Sequence, residues 1–223
     1  MATQVARSVD TTELVYYPEG DGKPMAESDI HIDQIIAVRT ALQHFFRDRP
    51  DVYVSGNIFL YYSEGEPTAV VSPDLLVVKG VPKKQRRSYK MWEEGKGPDV
   101  IIEVTSKSTR SEDNFSKYNL YERVLRVPEY FQFDPTGDYL SPRLRGYRLT
   151  RGKYQRIKET TGRLHSVELG LDLVDEDGQL RLYNPLTGER LMTPEELDEA
   201  HRHAEAEVAR LRAELENLRK KGA

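Results

Sequence analysis

The chain has 223 residues, which is long enough to bury a hydrophobic core, and we expect one domain with an appendage. It contains no cysteine, which excludes disulfides and thiolate nucleophiles, and its five histidines are too few and scattered to favour a zinc site. Its formal net charge of −4 argues against a protein that coats nucleic acid nonspecifically. It has neither an apolar run near the roughly 20 residues that span a bilayer nor a secretory signal pattern, so we expect a cytoplasmic protein.

The first elements follow a polar N-terminal segment. Residues 1–25 are rich in turn-forming residues, which predicts a flexible arm. Apolar residues then recur at helical spacing from Ile30 to Phe46, and Asp29 is the expected helix cap. Val, Tyr, Ile and Phe predominate from Asp51 to Ser63 and again from Ala69 to Lys79, which predicts two strands.

The middle of the chain predicts a sheet covered by helices. Val100 to Thr105 is apolar almost throughout, as expected for a central strand buried on both faces. A helical pattern from Ser111 to Val127 follows, and Pro128 to Asp134 predicts the next strand. We therefore expect residues 26–190 to form one α/β (or α+β) domain with a mixed sheet. Short strand-like segments complete it at Leu144–Tyr154, Leu164–Leu173 and Leu180–Tyr183.

Residues 193–221 predict a long C-terminal helix. Thr193 is the expected N-cap, Pro194 suits the first helical position, and Glu196 completes a capping box. Its apolar seam could pack on its own domain or form a coiled coil with a second copy or a partner. The spacing favours the coiled coil, so we expect a homodimer or higher oligomer. The seam alternates steps of four and three residues through Leu197, His201, Ala204, Val208, Leu211, Leu215 and Leu218.

Two acidic residues stand beside buried strands. Glu103 interrupts an apolar run, where an ionised carboxylate is costly unless a metal or a partner compensates it. Asp74 follows Pro73 between two apolar runs, and such an aspartate alone is more often a turn or cap residue. Carboxylates at the ends of adjacent strands provide the hard oxygen ligands that Mg²⁺ requires. Asp99 more often starts a strand, and it is the alternative ligand if Asp74 binds no metal.

A basic segment lies between the two acidic motifs. Lysine and arginine recur between Lys79 and Lys96, beside tyrosine and tryptophan. Such a segment is either a solvated loop or a contact surface for nucleic acid, because cations displace counterions from phosphates and aromatic rings stack on bases. The candidate contact residues are Lys83, Lys84, Arg86 and Arg87.

Several motifs agree in order and spacing with a known family. They are Pro73-Asp74, Pro98-Asp99 through Glu103-Val104, the helix face of Asp113, Lys117 and Tyr121, and Val127-Pro128-Glu129-Tyr130-Phe131-Gln132-Phe133-Asp134. Together they resemble the PD-(D/E)XK, or restriction-endonuclease-like, nuclease superfamily, and within it the bacterial Uma-two family of restriction endonucleases. The resemblance runs from about Asp29 to Tyr154.

This resemblance implies a mixed sheet flanked by helices and an endonuclease site for DNA that depends on Mg²⁺ or Mn²⁺. By the resemblance, Asp74, Glu103 and the main-chain carbonyl of Val104 would hold the metal. The usual lysine two residues after the glutamate is replaced by Thr105, which cannot supply a cation. Lys117 is then the favoured catalytic lysine and Lys107 its rival, with Tyr121 accessory. The alternative is an inactive module of the same fold that binds nucleic acid or protein through the basic segment and the C-terminal helix.

Overall fold

The computed structural model describes residues 15–19, 28–105, 116–138 and 140–221. Lys107, Asp113 and the predicted helix start at Ser111 lie outside these described residues. The first helix, α1, spans Asp29–Phe45, close to its predicted range. Its cap is Ser28 rather than the predicted Asp29, because the Ser28 hydroxyl accepts a hydrogen bond from the main-chain N–H of His31 at 3.4 Å.

Short strands make up most of the described chain. Two further helices are α2 (Met91–Glu94) and α3 (Pro194–Lys221), and a π-helical turn spans Leu120–Val124. The strands are β1 (Val52–Ser55), β2 (Leu60–Tyr61), β3 (Val70–Val71), β4 (Leu75–Lys79), β5 (Tyr89–Lys90), β6 (Val100–Val104), β7 (Glu129–Phe133), β8 (Leu144–Thr150), β9 (Lys153–Arg156), β10 (Leu164–Ser166), β11 (Leu171–Glu176) and β12 (Gln179–Tyr183).

The largest sheet has six strands in the order β1-β4-β6-β7-β8-β9. Strands β6 and β7 are parallel, whereas the other neighbours are antiparallel, so the sheet is mixed. Alternate residues of β6 enter two separate cores: Ile102 packs with α1 and the β10–β12 sheet, and Ile101 packs with Tyr121. The mixed α/β fold and the central strand buried on both faces are thus confirmed.

Four segments that the sequence predicts as single strands are each divided: Leu144–Tyr154 forms β8 and the start of β9, Leu164–Leu173 forms β10 and the start of β11, and two earlier segments are divided as well. The segment from Asp51 to Ser63 turns between β1 and β2, and the segment from Ala69 to Lys79 is interrupted at Pro73 and Asp74. Proline has no N–H to give to a ladder, which explains the interruption at Pro73. The pieces β2 and β3 leave the main sheet and join β5 in a small second sheet.

The C-terminal part contains a third sheet and the longest helix. Strands β10, β11 and β12 form an antiparallel sheet that packs under α1. The capping box of α3 is present: Thr193 N–H donates to Glu196 Oε2 at 2.9 Å, and Glu196 N–H donates to Thr193 Oγ1 at 3.3 Å. No helix in the described ranges is both long and apolar enough to cross a membrane. The domain limits at 26, 190 and 193 stay predictions.

Candidate active site

The register of the central sheet brings Asp74 and Glu103 together. Leu75 pairs with Ile102 across antiparallel strands β4 and β6, so the preceding Asp74 lies opposite the following Glu103. The main-chain N–H of Asp74 donates to Glu103 Oε2 at 3.4 Å. Asp74 is 8% exposed and Glu103 is 0% exposed. The two predicted carboxylates therefore form one buried acidic cluster at an end of the sheet.

Pro73 shapes the main chain around this cluster. Val104 N–H donates to Asp74 Oδ2 at 2.8 Å, so the Val104 peptide groups face the β4 side of β6. Two positions beyond the Leu75–Ile102 pair, Val104 would lie opposite Pro73, which has no N–H to donate. Because the N–H and C=O of a strand residue point to the same side, the Val104 carbonyl also faces the acidic cluster. This position suits it as a third oxygen ligand.

Lys117 and Tyr121 reach the same carboxylate from the helical segment before β7. Lys117 Nζ donates to Glu103 Oε2 at 2.8 Å, and the Tyr121 hydroxyl donates to Glu103 Oε1 at 2.6 Å. Burial raises the pKa of Tyr121 well above its ordinary value, and the adjacent Glu103 charge and hydrogen bond raise that pKa further. Tyr121 therefore stays a neutral hydrogen-bond donor. The structure brings together Asp74, Glu103, Lys117 and Tyr121.

Thr105 occupies the position two residues after Glu103, where the resemblance implies a lysine. Its side chain is buried, and both its N–H and its hydroxyl donate to the carbonyl of Phe133, at 2.7 and 3.1 Å. The threonine thus fixes the end of β6 to β7 and brings no charge. Of the described residues, Lys117 supplies the ammonium beside Glu103, whereas Lys107 lies outside them.

His31, near the start of α1, also lies at the site. It is 5% exposed, and its Nε2 is 3.6 Å from Asp74 Oδ2. A signal was present in the spacing, because His31 lies four residues before Ile35 on the helix face that also carries buried Val38 and Leu42. A polar residue on a buried helix stripe is a candidate for a site.

Gly56 permits the close approach of the turn after β1 to Asp74. A Cβ added at Gly56 would overlap the carbonyl oxygen of Asp74, which belongs to the main chain and cannot move aside easily. The neighbouring Asn57 N–H donates to the carbonyl of Pro73 at 3.0 Å. The turn therefore holds the Pro73-Asp74 segment in place from the side opposite β6.

The donor set at the cluster fits a hard divalent cation. It combines two carboxylates with a main-chain carbonyl, and Mg²⁺ in proteins commonly uses one or two carboxylates and keeps several waters. Within the described ranges, this cluster included, no group of three or more histidine, aspartate or glutamate side chains is arranged to hold a metal. A cation at this site would therefore depend on the carbonyl, water and substrate for its remaining ligands.

A family model decides the relationship. Residues 10–181 match the model of the Uma2 family, which carries the description "Putative restriction endonuclease". The chain belongs to the Uma2 family. The match covers most of the chain and includes Asp74, Glu103 and Lys117.

Two further comparisons add little to this assignment. No protein with a curated description matches the chain. Among solved structures, the chain is similar to the crystal structure of a "putative nuclease belonging to DUF820 from Anabaena variabilis ATCC 29413". The similarity covers 70% of this chain and 83% of that chain, with 12% sequence identity and a TM-score of 0.47. A similarity this low carries no argument about the site.

Asp99 lies at the other end of β6 in this Uma2 protein. It precedes Val100, about 13 Å along the strand from Glu103. Its Oδ2 accepts a hydrogen bond from Lys79 N–H at 2.7 Å, and its Oδ1 pairs with Lys96 at 3.0 Å. The structure therefore does not bring Asp99 together with Asp74 and Glu103.

The basic segment also begins at this distant end. It follows Lys79, which is about 17 Å along β4 from Asp74. The Arg86 side chain is 3% exposed, lies over the ring of Tyr53 and pairs with Glu94 at 2.7 Å. The pKa of Glu94 is lowered to about 2, chiefly by the hydrogen bond from Arg86 and also by Lys84. Arg86 is thus committed to local structure.

The other candidate nucleic-acid contacts of this segment differ in their exposure. Lys83 donates to the carbonyls of Phe46 and Arg47 at the end of α1. Lys84 is more than half exposed, and Arg87 is mostly exposed beside Glu19. Lys84 and Arg87 are therefore accessible for contact with a phosphate. Binding of nucleic acid by this segment stays a prediction.

Proposed function

We propose that this Uma2 protein is an endonuclease that hydrolyses phosphodiester bonds of DNA with the help of Mg²⁺ or Mn²⁺. The observation that carries the proposal is the fully buried Glu103, which Lys117 and Tyr121 hold beside Asp74. A buried carboxylate costs stability unless charges and hydrogen bonds compensate it. Membership of the Uma2 family supports the same conclusion.

Each residue of the cluster has a distinct role in this proposal. Asp74, Glu103 and the Val104 carbonyl would hold the cation, which would lower the pKa of a bound water and neutralise charge on the phosphate. The Val104 N–H orients the Asp74 carboxylate, and the neutral Tyr121 hydroxyl orients Glu103.

Lys117 supplies the positive charge that Thr105 cannot. Its ammonium already lies 2.8 Å from Glu103, so it can turn to a water or a phosphate oxygen that enters beside the carboxylate. Charge placed in advance where the transition state becomes negative lowers the barrier without reorganisation. A helix also fixes such a group more firmly than a loop does.

Cleavage of supercoiled plasmid with Mg²⁺ or Mn²⁺, with and without a chelator, tests the proposal. Asp74→Asn and Glu103→Gln should each lower the rate more than about 100-fold, because loss of even an outer partner of a metal site costs about 10–100-fold. Asp99→Asn is the matched control, because it neutralises a buried carboxylate at the other end of β6. Unchanged cleavage by Glu103→Gln would refute the assignment. A single-stranded RNA of the same sequence shows whether DNA is preferred.

Thr105 supports a second candidate function, that of an inactive module that binds nucleic acid or protein. The usual strand lysine is absent, and Thr105 is engaged with Phe133. Salt-sensitive binding to DNA with no binding of Mn²⁺ would favour this candidate. Metal-dependent cleavage that is lost in Glu103→Gln would exclude it.

A further inference from the structure

The C-terminal helix α3 exposes a row of apolar side chains. The helix has 28 residues, and its first turn is fixed to the domain by the Arg181–Glu196 ion pair at 2.5 Å. Beyond that turn the side chains of residues 201–220 are all exposed. Contiguous apolar rows of this kind on soluble proteins mark interaction sites. Within residues 201–220 the valine and the three leucines of the row are 46–60% exposed: Val208, Leu211, Leu215 and Leu218.

The row has the composition of a two-stranded coiled coil. In a heptad assignment the a positions are His201, Val208 and Leu215, and leucine occupies most d positions. At the middle a position, Val208 with leucine at the following d position favours two parallel strands over three or four. The d positions are Leu197, Ala204, Leu211 and Leu218.

The charges beside the seam complement those of an identical helix in parallel register. Glu207 and Glu214 occupy g positions, and Arg212 and Arg219 occupy e positions. In a parallel pair each g residue faces the e residue five positions later in the other helix, so Glu207 meets Arg212 and Glu214 meets Arg219. Within the described part of one copy, neither Arg212 nor Arg219 forms an ion pair. Both arginines are thus available to a second copy.

An antiparallel pair would be less favourable. In that arrangement g positions face g positions, which places Glu207 opposite Glu214 on both sides of the seam. Like charges on neighbouring helix positions that face each other are destabilising. The charge pattern therefore distinguishes the two orientations, and it favours the parallel one.

We propose that a second copy of this chain covers the seam of α3 in a parallel, in-register, two-stranded coiled coil. This goes beyond the nuclease proposal, because it concerns a separate surface and does not depend on the acidic cluster. A parallel pair is related by a twofold axis along the coil. It would therefore place two copies of the whole domain, each with one acidic cluster, in one symmetric assembly.

Reversal of charges tests the interface. The mass in solution is measured by sedimentation for the full chain, for Arg212→Glu/Arg219→Glu and for Glu207→Arg/Glu214→Arg. The full chain should have the mass of two copies, each double variant alone should dissociate at least tenfold more readily, and an equimolar mixture of the two should recover the dimer. Arg202→Glu/Lys220→Glu, on the outer face of the helix, is the control and should remain dimeric.

Disulfide formation tests orientation and register. The chain has no cysteine, so Leu211→Cys introduces a single thiol into the seam. Identical d residues are adjacent in a parallel, in-register pair, and mild oxidation should then cross-link most of the protein. The outward variant Ala213→Cys should cross-link far less.

Several results would overturn the proposal. A single-chain mass at concentrations up to about 100 μM, or a mass above two chains, would exclude this dimer. A dimer that is unaffected by both reversals would be antiparallel or would use another surface, because in an antiparallel pair each reversal exchanges one like-charge contact for another. A dimer that Leu211→Cys does not cross-link would not be parallel and in register.

Discussion

Replacement of Tyr121 by phenylalanine removes one hydroxyl from the acidic cluster and little else. That hydroxyl donates to Glu103 at 2.6 Å in a fully buried site, and hydrogen bonds to charged groups contribute about 1.5–3 kcal/mol. We expect Tyr121→Phe to lower the free energy of unfolding by this amount. A domain of this size changes its melting temperature by about 2–4 °C per kcal/mol, so the expected decrease is about 3–12 °C.

Denaturant unfolding measures this loss, with Tyr118→Phe as the matched control. Tyr118 lies on the same helical segment and its ring packs against other tyrosines, but its hydroxyl donates no hydrogen bond to a described residue. Its replacement should cost less than about 0.5 kcal/mol. Equal losses for Tyr118→Phe and Tyr121→Phe, or no loss for Tyr121→Phe, would refute the role of the hydroxyl.

The pH dependence gives an independent check on Tyr121. Its pKa in the folded protein is raised, so the folded protein keeps the phenol proton at pH values where the unfolded chain releases it. The Tyr121 contribution is therefore constant below about pH 10 and falls as the pH rises further. The difference between wild type and Tyr121→Phe should be constant from about pH 6 to 9 and should narrow at higher pH.

Three other outcomes follow from the site and the basic segment. Lys117→Met should slow metal-dependent DNA cleavage by about 10²–10³-fold, whereas Lys107→Met should not; the opposite result would make Lys107 the catalytic lysine. Gly56→Ala should displace the Asp74 main chain, lower the free energy of unfolding by about 1–3 kcal/mol and weaken Mn²⁺ binding in calorimetry. Unaltered stability and unaltered Mn²⁺ binding would contradict the close approach of Gly56 to the Asp74 carbonyl. Glu94→Gln should destabilise the protein at pH 7 and should destabilise it less at pH 3. The lowered pKa of Glu94 contributes stability that is present above about pH 4.5 and is lost as the pH falls towards 2. Equal losses of stability at pH 7 and pH 3 would exclude this titration.

Local patterns were sufficient to predict the elements that position the site. The apolar run with Glu103 predicted a central strand, and the structure confirms it with Glu103 at 0% exposure. The helical spacing of Lys117 and Tyr121 predicted a shared face, and both side chains contact Glu103. Periodicity determines which side chains share a face, so these relations are visible before any fold is known.

Relations between distant segments were not visible in the sequence. The basic segment follows Asp74 closely along the chain, but β4 carries the chain about 17 Å away before that segment begins. His31 lies 43 positions before Asp74 and meets it only because α1 packs across β6. Strand direction and helix packing decide such distances, and neither follows from spacing along the chain.

The most direct test of the central claim is calorimetric titration of Mn²⁺ into the wild type, Glu103→Gln and Asp99→Asn, with a short DNA duplex present to complete the coordination. The account predicts binding to the wild type and to Asp99→Asn, and binding that is at least about 100-fold weaker, or lost, in Glu103→Gln. Equal binding by Glu103→Gln and the wild type, or no binding by any of the three proteins, would contradict a metal centre at Asp74 and Glu103.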